Sequence, residues 1–148
     1  MTILLDKAIR IATVAHQHQT DKGGEPYILH PLRVMLAMQT HEQRIVAVMH
    51  DVLEDDGGWT LKDIRSRFGA SIADALDALT HRPNETYTAY VRRIATNPLA
   101  VTVKIADLTD NMQAHRLPQP LTRADHLRNA KYQQARDYLL LFNSYGVS

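Results

Sequence analysis

Three observations predict an all-α fold for this chain of 148 residues. Apolar residues recur at helical spacing along most of its length, while the strict alternation of a half-buried strand is scarce. Chain breakers (Gly23-Gly24, Pro26, Gly69, Pro118, Pro120) fall between the periodic stretches. Cap residues stand where those stretches begin. Together they predict a compact single-domain bundle of about eight helices over 1–148, with no internal repeat and no linker long enough to divide it.

The elements follow in order. Leu4, Leu5, Ala8, Ile11, Ala12 and Ala15 make an apolar stripe that predicts a helix over 3–18. Residues 19–29 are a loop, and Pro31 suits the first position of a helix reaching about Met38. Thr40 with Gln43 is a capping box opening a helix over 41–53. Thr60 caps a short helix ending at Phe68, with Gly69 as its stop, and a helix over 70–79 follows. After a polar loop at 81–85, helices over 86–96 and 98–115 meet at Asn97-Pro98. Thr122 caps a last helix reaching about Asn143.

Composition narrows the function. A domain of this length buries roughly 70% of its unfolded surface and needs no covalent staple. Seventeen Lys and Arg against sixteen Asp and Glu leave +1, without a run of like charge, which argues against coating a nucleic acid polymer. The absence of cysteine excludes disulfides, thiolate zinc sites and thiol nucleophiles, so any metal must be held by nitrogen and oxygen. No segment is apolar enough to cross a membrane. Asp6, Lys7 and Arg10 interrupt the N-terminal stretch too early for a signal peptide. The expectation is a soluble cytoplasmic protein.

Two predicted helices carry polar residues on apolar stripes. Val46, Met49, His50 and Leu53 share one side of the 41–53 helix, with Asp51 beside His50 and Glu54 one turn on. His50 is then either a satisfied core imidazole beside solvated acids, or part of a ligand set. On the 98–115 helix, Leu99 and Val103 mark the buried side, which Asp107 continues, with Asn111 one turn beyond. Lys104 is within reach of Asp107 and offers an ordinary ion pair. His30 closes the loop before Pro31. Taken together, His30, His50-Asp51 and Asp107 are three nitrogen and oxygen ligand segments suited to Mn²⁺, Fe²⁺ or Mg²⁺.

The order His, His-Asp, Asp resembles that of the HD-domain metal-dependent phosphohydrolases. The similarity is greatest to the (p)ppGpp hydrolase domain of RelA/SpoT-type proteins and to the small alarmone hydrolases. Matching stretches are 24–31, 50–55, Phe68-Gly69, 78–80 and 103–111, in family order across about 5–140. The resemblance implies that His30, His50, Asp51 and Asp107 ligate one Mn²⁺. It also implies that Glu54 and Asp55 position and activate the attacking water. Asn111 matches a residue near the substrate ribose, and Lys22 a basic residue beside the nucleotide. Lys104, Arg116 and Arg82 are further candidates to hold the charged substrate, against a surface or ion-pair role.

The expected reaction is removal of the 3′-pyrophosphate of (p)ppGpp, giving GDP or GTP plus pyrophosphate. The chain departs from the family pattern at Asp21, where an arginine usually packs on guanine, and at Ala114, where a small hydroxyl is common. Tyr27, Tyr87 and Tyr90 are alternative stacking groups, with packing as their other role. Asp21 keeps open a different phosphorylated nucleotide as substrate. A catalytically silent nucleotide-binding module is the remaining alternative. The length leaves no room for a synthetase domain, so alarmone synthesis is not expected.

Overall fold

Side-chain caps begin most of the helices. In the computed structural model, which describes residues 2–54, 58–113 and 116–143, Thr40, Thr60 and Thr122 each accept the backbone N–H of the third helical residue. Gln43, Asp63 and Asp125 return the bond to the cap N–H, which makes three full capping boxes. Thr86 and Asn97 cap two further helices. Among the described residues the elements are α1 (Thr2–Ala15), α2 (Leu29–Leu36), α3 (His41–Met49), α4 (Leu61–Phe68), α5 (Ala70–Leu79), α6 (Tyr87–Ile94), α7 (Pro98–Asn111) and α8 (Arg123–Leu140). The all-α fold of eight helices expected from the sequence is the observed one. None of these helices is long and apolar enough to cross a membrane.

Four boundaries differ from expectation. The 41–53 helix ends at Met49, and a 3-10 turn over Val52–Glu54 follows. At this end His50 donates its ring Nδ1–H to the Ala47 carbonyl at 2.6 Å, and its backbone N–H reaches the same carbonyl. That tightens the last turn. α2 starts at Leu29, so Pro31 sits inside the first turn, where backbone N–H groups have no helical partner anyway. α1 stops at Ala15, and His18 takes a left-handed φ of 68°. α7 stops at Asn111; Ala114 lies outside the described residues.

α3 and α7 run through the middle. Ile45 through Met49 are fully buried, as are Ala100, Val101, Val103, Ile105 and Leu108. Burial around the whole circumference of α3 follows from its position, with α1, α2, α5 and α7 packed on it. α7 in turn contacts α2, α3, α5, α6 and α8. Both central helices carry histidine or aspartate at their inner ends, which brings residues far apart in sequence to one place.

Candidate metal centre and substrate cleft

Three elements deliver the polar cluster. His30 lies in the first turn of α2, His50 caps the C-terminus of α3, and Asp107 stands in α7. All three are buried. His30 Nε2 is 2.8 Å from Asp107 Oδ1, and His50 Nε2 is 3.3 Å from the same oxygen. One potential ligand atom from each of the three lies within 4.8 Å of the others. Asp51 adjoins this group, with its Oδ2 3.2 Å from His50 Nε2. The Tyr27 hydroxyl donates to that same Asp51 oxygen.

The outer ring nitrogens fix how the imidazoles point. His50 Nδ1 donates to the Ala47 carbonyl, which leaves the lone pair at Nε2 facing inward. This Nε2 is buried and makes no hydrogen bond. His30 Nδ1 donates to Asp110 Oδ2 at 2.7 Å, so in the neutral ring Nε2 presents a lone pair to Asp107 Oδ1, and only the protonated ring donates to both carboxylates. Two imidazole acceptors and a carboxylate oxygen therefore converge, an arrangement that repels unless a proton or a cation stands among them. Burial pushes His30 down, but its hydrogen bonds to Asp107 and Asp110 outweigh that and hold the ring above its ordinary value. Burial likewise disfavours charge on His50, yet Asp51 and Asp107 raise it well above the usual range. Asp107 would be raised by burial, but Lys104 and the imidazoles hold it well below the carboxylate range. A divalent ion satisfies the same donors without protonating them, and this nitrogen and oxygen set fits one.

Lys104 and Asp110 hold the cluster from outside. Lys104 Nζ sits 2.8 Å from Asp107 Oδ2 and over the Tyr90 ring at 5.3 Å. Its ammonium is thus committed to Asp107, and it is not among the cleft's lining. Asp110 accepts from His30, takes Nε and Nη2 of Arg33 at 2.8 and 3.1 Å, and lies 3.1 Å from Arg116 Nη2. The sequence alone assigns Asp110 no role. Its position three residues after Asp107 was the available signal, since that spacing keeps it on one helical face. The Tyr27 bond to Asp51 had no local signal, because it spans a loop and a helix end.

A cleft of about 270 Å³ opens beside this centre. His30, Asp110 and Asn111 line it on the side of the His30, His50 and Asp107 cluster, the 20–23 loop supplies Lys22, and α8 supplies Arg128, Asn129 and Tyr132. Asn111 Nδ2 donates to Asp107 Oδ1 at 3.1 Å. Lys22 is exposed and Arg116 half-buried, and both line the cleft. Asp21 turns its Oδ1 back onto the N–H groups of Gly23 and Glu25, each at 2.9 Å, so it organises its own loop. Gly23 is required there because a Cβ would lie 2.2 Å from the Arg116 carbonyl oxygen. Glu54 accepts the His81 N–H at 3.1 Å. Partial desolvation raises its carboxyl above the ordinary range, the His81 bond opposes this, and the Asp51 charge adds to it. Asp55 lies outside the described residues. Arg82 pairs with Asp77 at 3.4 Å on an exposed surface and does not line the cleft. Tyr90 spends its hydroxyl on the Leu79 carbonyl at 2.6 Å, as a packing residue would.

Comparison with known proteins identifies the family. A family model described as HD domain matches residues 8–134. The chain belongs to the HD-domain family. Among curated relatives of this HD domain, the guanosine-3′,5′-bis(diphosphate) 3′-pyrophosphohydrolase of Aquifex aeolicus is 32% identical over 121 residues. That match takes in 74% of this chain and 17% of the relative. The bifunctional (p)ppGpp synthase/hydrolase SpoT of Escherichia coli K12 is 32% identical over 124 residues, covering 74% and 18% respectively. The chain therefore spans under a fifth of the length of these curated relatives. A solved structure of a metazoan ortholog of SpoT that hydrolyses ppGpp superposes with a TM-score of 0.74 at 20% identity. It covers 95% of this chain and 88% of that one, a likeness of fold.

Proposed function

We propose that this HD domain hydrolyses the 3′-pyrophosphate of (p)ppGpp, with Mn²⁺ held by His30, His50, Asp51 and Asp107. The observation that carries the reading is the convergence of the His30 and His50 imidazoles on Asp107, beside an open cleft of about 270 Å³. The relatives named above support the choice of substrate. When bound, a divalent ion of this kind lowers the pKa of water and offsets charge on phosphoryl oxygens.

The chain's own residues supply the rest. Water attacks the phosphorus next to the ribose, the bond from that phosphorus to O3′ breaks, and pyrophosphate leaves. Glu54, whose carboxyl is raised above its ordinary value by burial and which is next to Asp55 in sequence, accepts the water proton, and the freed O3′ takes up a proton. Asn111 holds both Asp107 and the ribose side of the substrate. Lys22 and Arg116 offset its phosphate charge from the cleft wall. Lys104 acts through Asp107, whose Oδ2 it fixes so that Oδ1 faces the imidazoles.

Asp21 favours a second reading, in which the same chemistry acts on another phosphorylated purine nucleotide, because an aspartate rather than an arginine stands at this point of the cleft lining. Incubating manganese-loaded protein with 3′- and 5′-phosphorylated guanosine and adenosine nucleotides tests both. Pyrophosphate released from the 3′ side of the guanosine substrate is expected. Release only from adenosine substrates selects the second reading, and no release from any of them rejects both.

A further inference from the structure

The candidate metal centre offers only buried imidazoles and carboxylates, which carry no pattern that tells one purine from another. Selection must come from the cleft walls, and most of the polar groups there are already spent. Asp21 Oδ1 holds its own loop, Arg116 and Arg33 hold Asp110, and Arg128 pairs with Asp125 at 3.0 Å. Asn129 differs. It is half-buried in the wall formed by α8, and among the described residues its amide makes no hydrogen bond. It shares a helical face with Tyr132, three residues on, which also lines the cleft. An amide in a ligand cleft, with two donors and an acceptor unspent, is suited to a planar edge carrying both kinds of group.

We infer that Asn129 reads the edge of the purine base, an assignment that rests on the nucleotide-hydrolase reading. The amide oxygen accepts from guanine N1–H and N2–H, with the NH₂ turned aside. Rotated by half a turn about its terminal bond, the same amide donates to an adenine ring nitrogen and accepts from the N6 amine. A side chain that can present either face admits both purines, whereas a carboxylate there accepts only and selects guanine.

Binding of GDP and ADP to the manganese-loaded protein, measured by calorimetry, tests this without depending on turnover. The wild type is expected to bind the two within about tenfold of each other. Asn129→Asp is expected to shift the ratio of dissociation constants toward GDP by about tenfold or more, since a charged acceptor strengthens two guanine bonds and opposes adenine N1. Asn129→Ala should weaken both nucleotides alike, by about two- to tenfold. A GDP to ADP ratio that Asn129→Asp leaves within about twofold of wild type overturns the assignment, as does failure of the wild type to bind either nucleotide. Pyrophosphate release by the same proteins separates the two failures. Turnover with an unmoved ratio removes Asn129 and leaves the hydrolase reading. A moved ratio without turnover supports Asn129 and removes the hydrolase reading.

Discussion

Asp107 uses its two oxygens differently, and that division explains most of the site. Oδ1 faces His30, His50 and Asn111, while Oδ2 is held by Lys104. Asp110 plays the matching part for His30, whose Nδ1 proton it accepts. Asp110→Asn keeps the shape but removes the charge that orients the ring and two guanidiniums. Manganese affinity, measured by calorimetry, should fall about 10–100-fold; an unchanged affinity would mean that His30 is oriented by packing alone. Glu54→Gln should keep the metal and lose about 10²–10⁴ in kcat for pyrophosphate release. Retained turnover there would remove Glu54 as the base. His50 and Asp107 stood out in the sequence because each is a titratable residue on an apolar helical stripe, and His30 because it closes a loop just before Pro31. Asp110 and Tyr27 were not, since their partners lie on other elements and only packing joins them.

Loop and helix ends decide how well these groups are held. Gly23 lets the 20–23 loop approach the Arg116 carbonyl, and Asp21 fixes the loop's shape from inside. Gly23→Ala should push the loop from Arg116 and raise KM for the nucleotide more than it lowers kcat, because His30, His50 and Asp107 sit on other elements. A variant with unaltered KM would show that this loop does not touch substrate. At the α5–α6 junction, Arg93 of α6 donates to the carbonyls of Asp77, Ala78 and Thr80 at the end of α5 and to Glu85. The guanidinium lowers Glu85 from 4.5 to about 2. A depressed carboxylate contributes stability that is fully present above its unfolded value and is lost as pH falls toward its folded value. Thermal unfolding should therefore show a loss of stability between pH 4.5 and about 2 that Glu85→Gln diminishes. An identical slope in both proteins would contradict the pairing. The capping boxes at Thr40, Thr60 and Thr122 made helix starts readable. The end of α3 was not, because the His50 ring bond to Ala47 stops the helix where apolar periodicity alone would carry it on.

At the scale of the whole molecule, the core is also the scaffold of the site. α3 and α7 are buried over most of their length and pack on each other, so His50 and Asp107 inherit the rigidity of the interior. Leu108, fully buried beside Asp107, is the clearest probe of this link. Leu108→Ala should cost about 2–5 kcal/mol in urea unfolding, and it should weaken manganese binding although Leu108 offers no ligand atom. Lowered stability with full metal affinity would separate the core from the site. The count and type of helices were readable from periodicity, whereas the crossing of α3 over α7, which makes the site, is a long-range property. The central claim is that His30, His50 and Asp107, with Asp51 alongside, enclose one cation. Calorimetric titration of metal-stripped protein with Mn²⁺, repeated on His50→Ala after circular dichroism confirms its helices, tests it most directly. One ion per chain in the wild type and its loss in the folded variant are predicted; no uptake by the wild type, or equal uptake by both, would contradict the account.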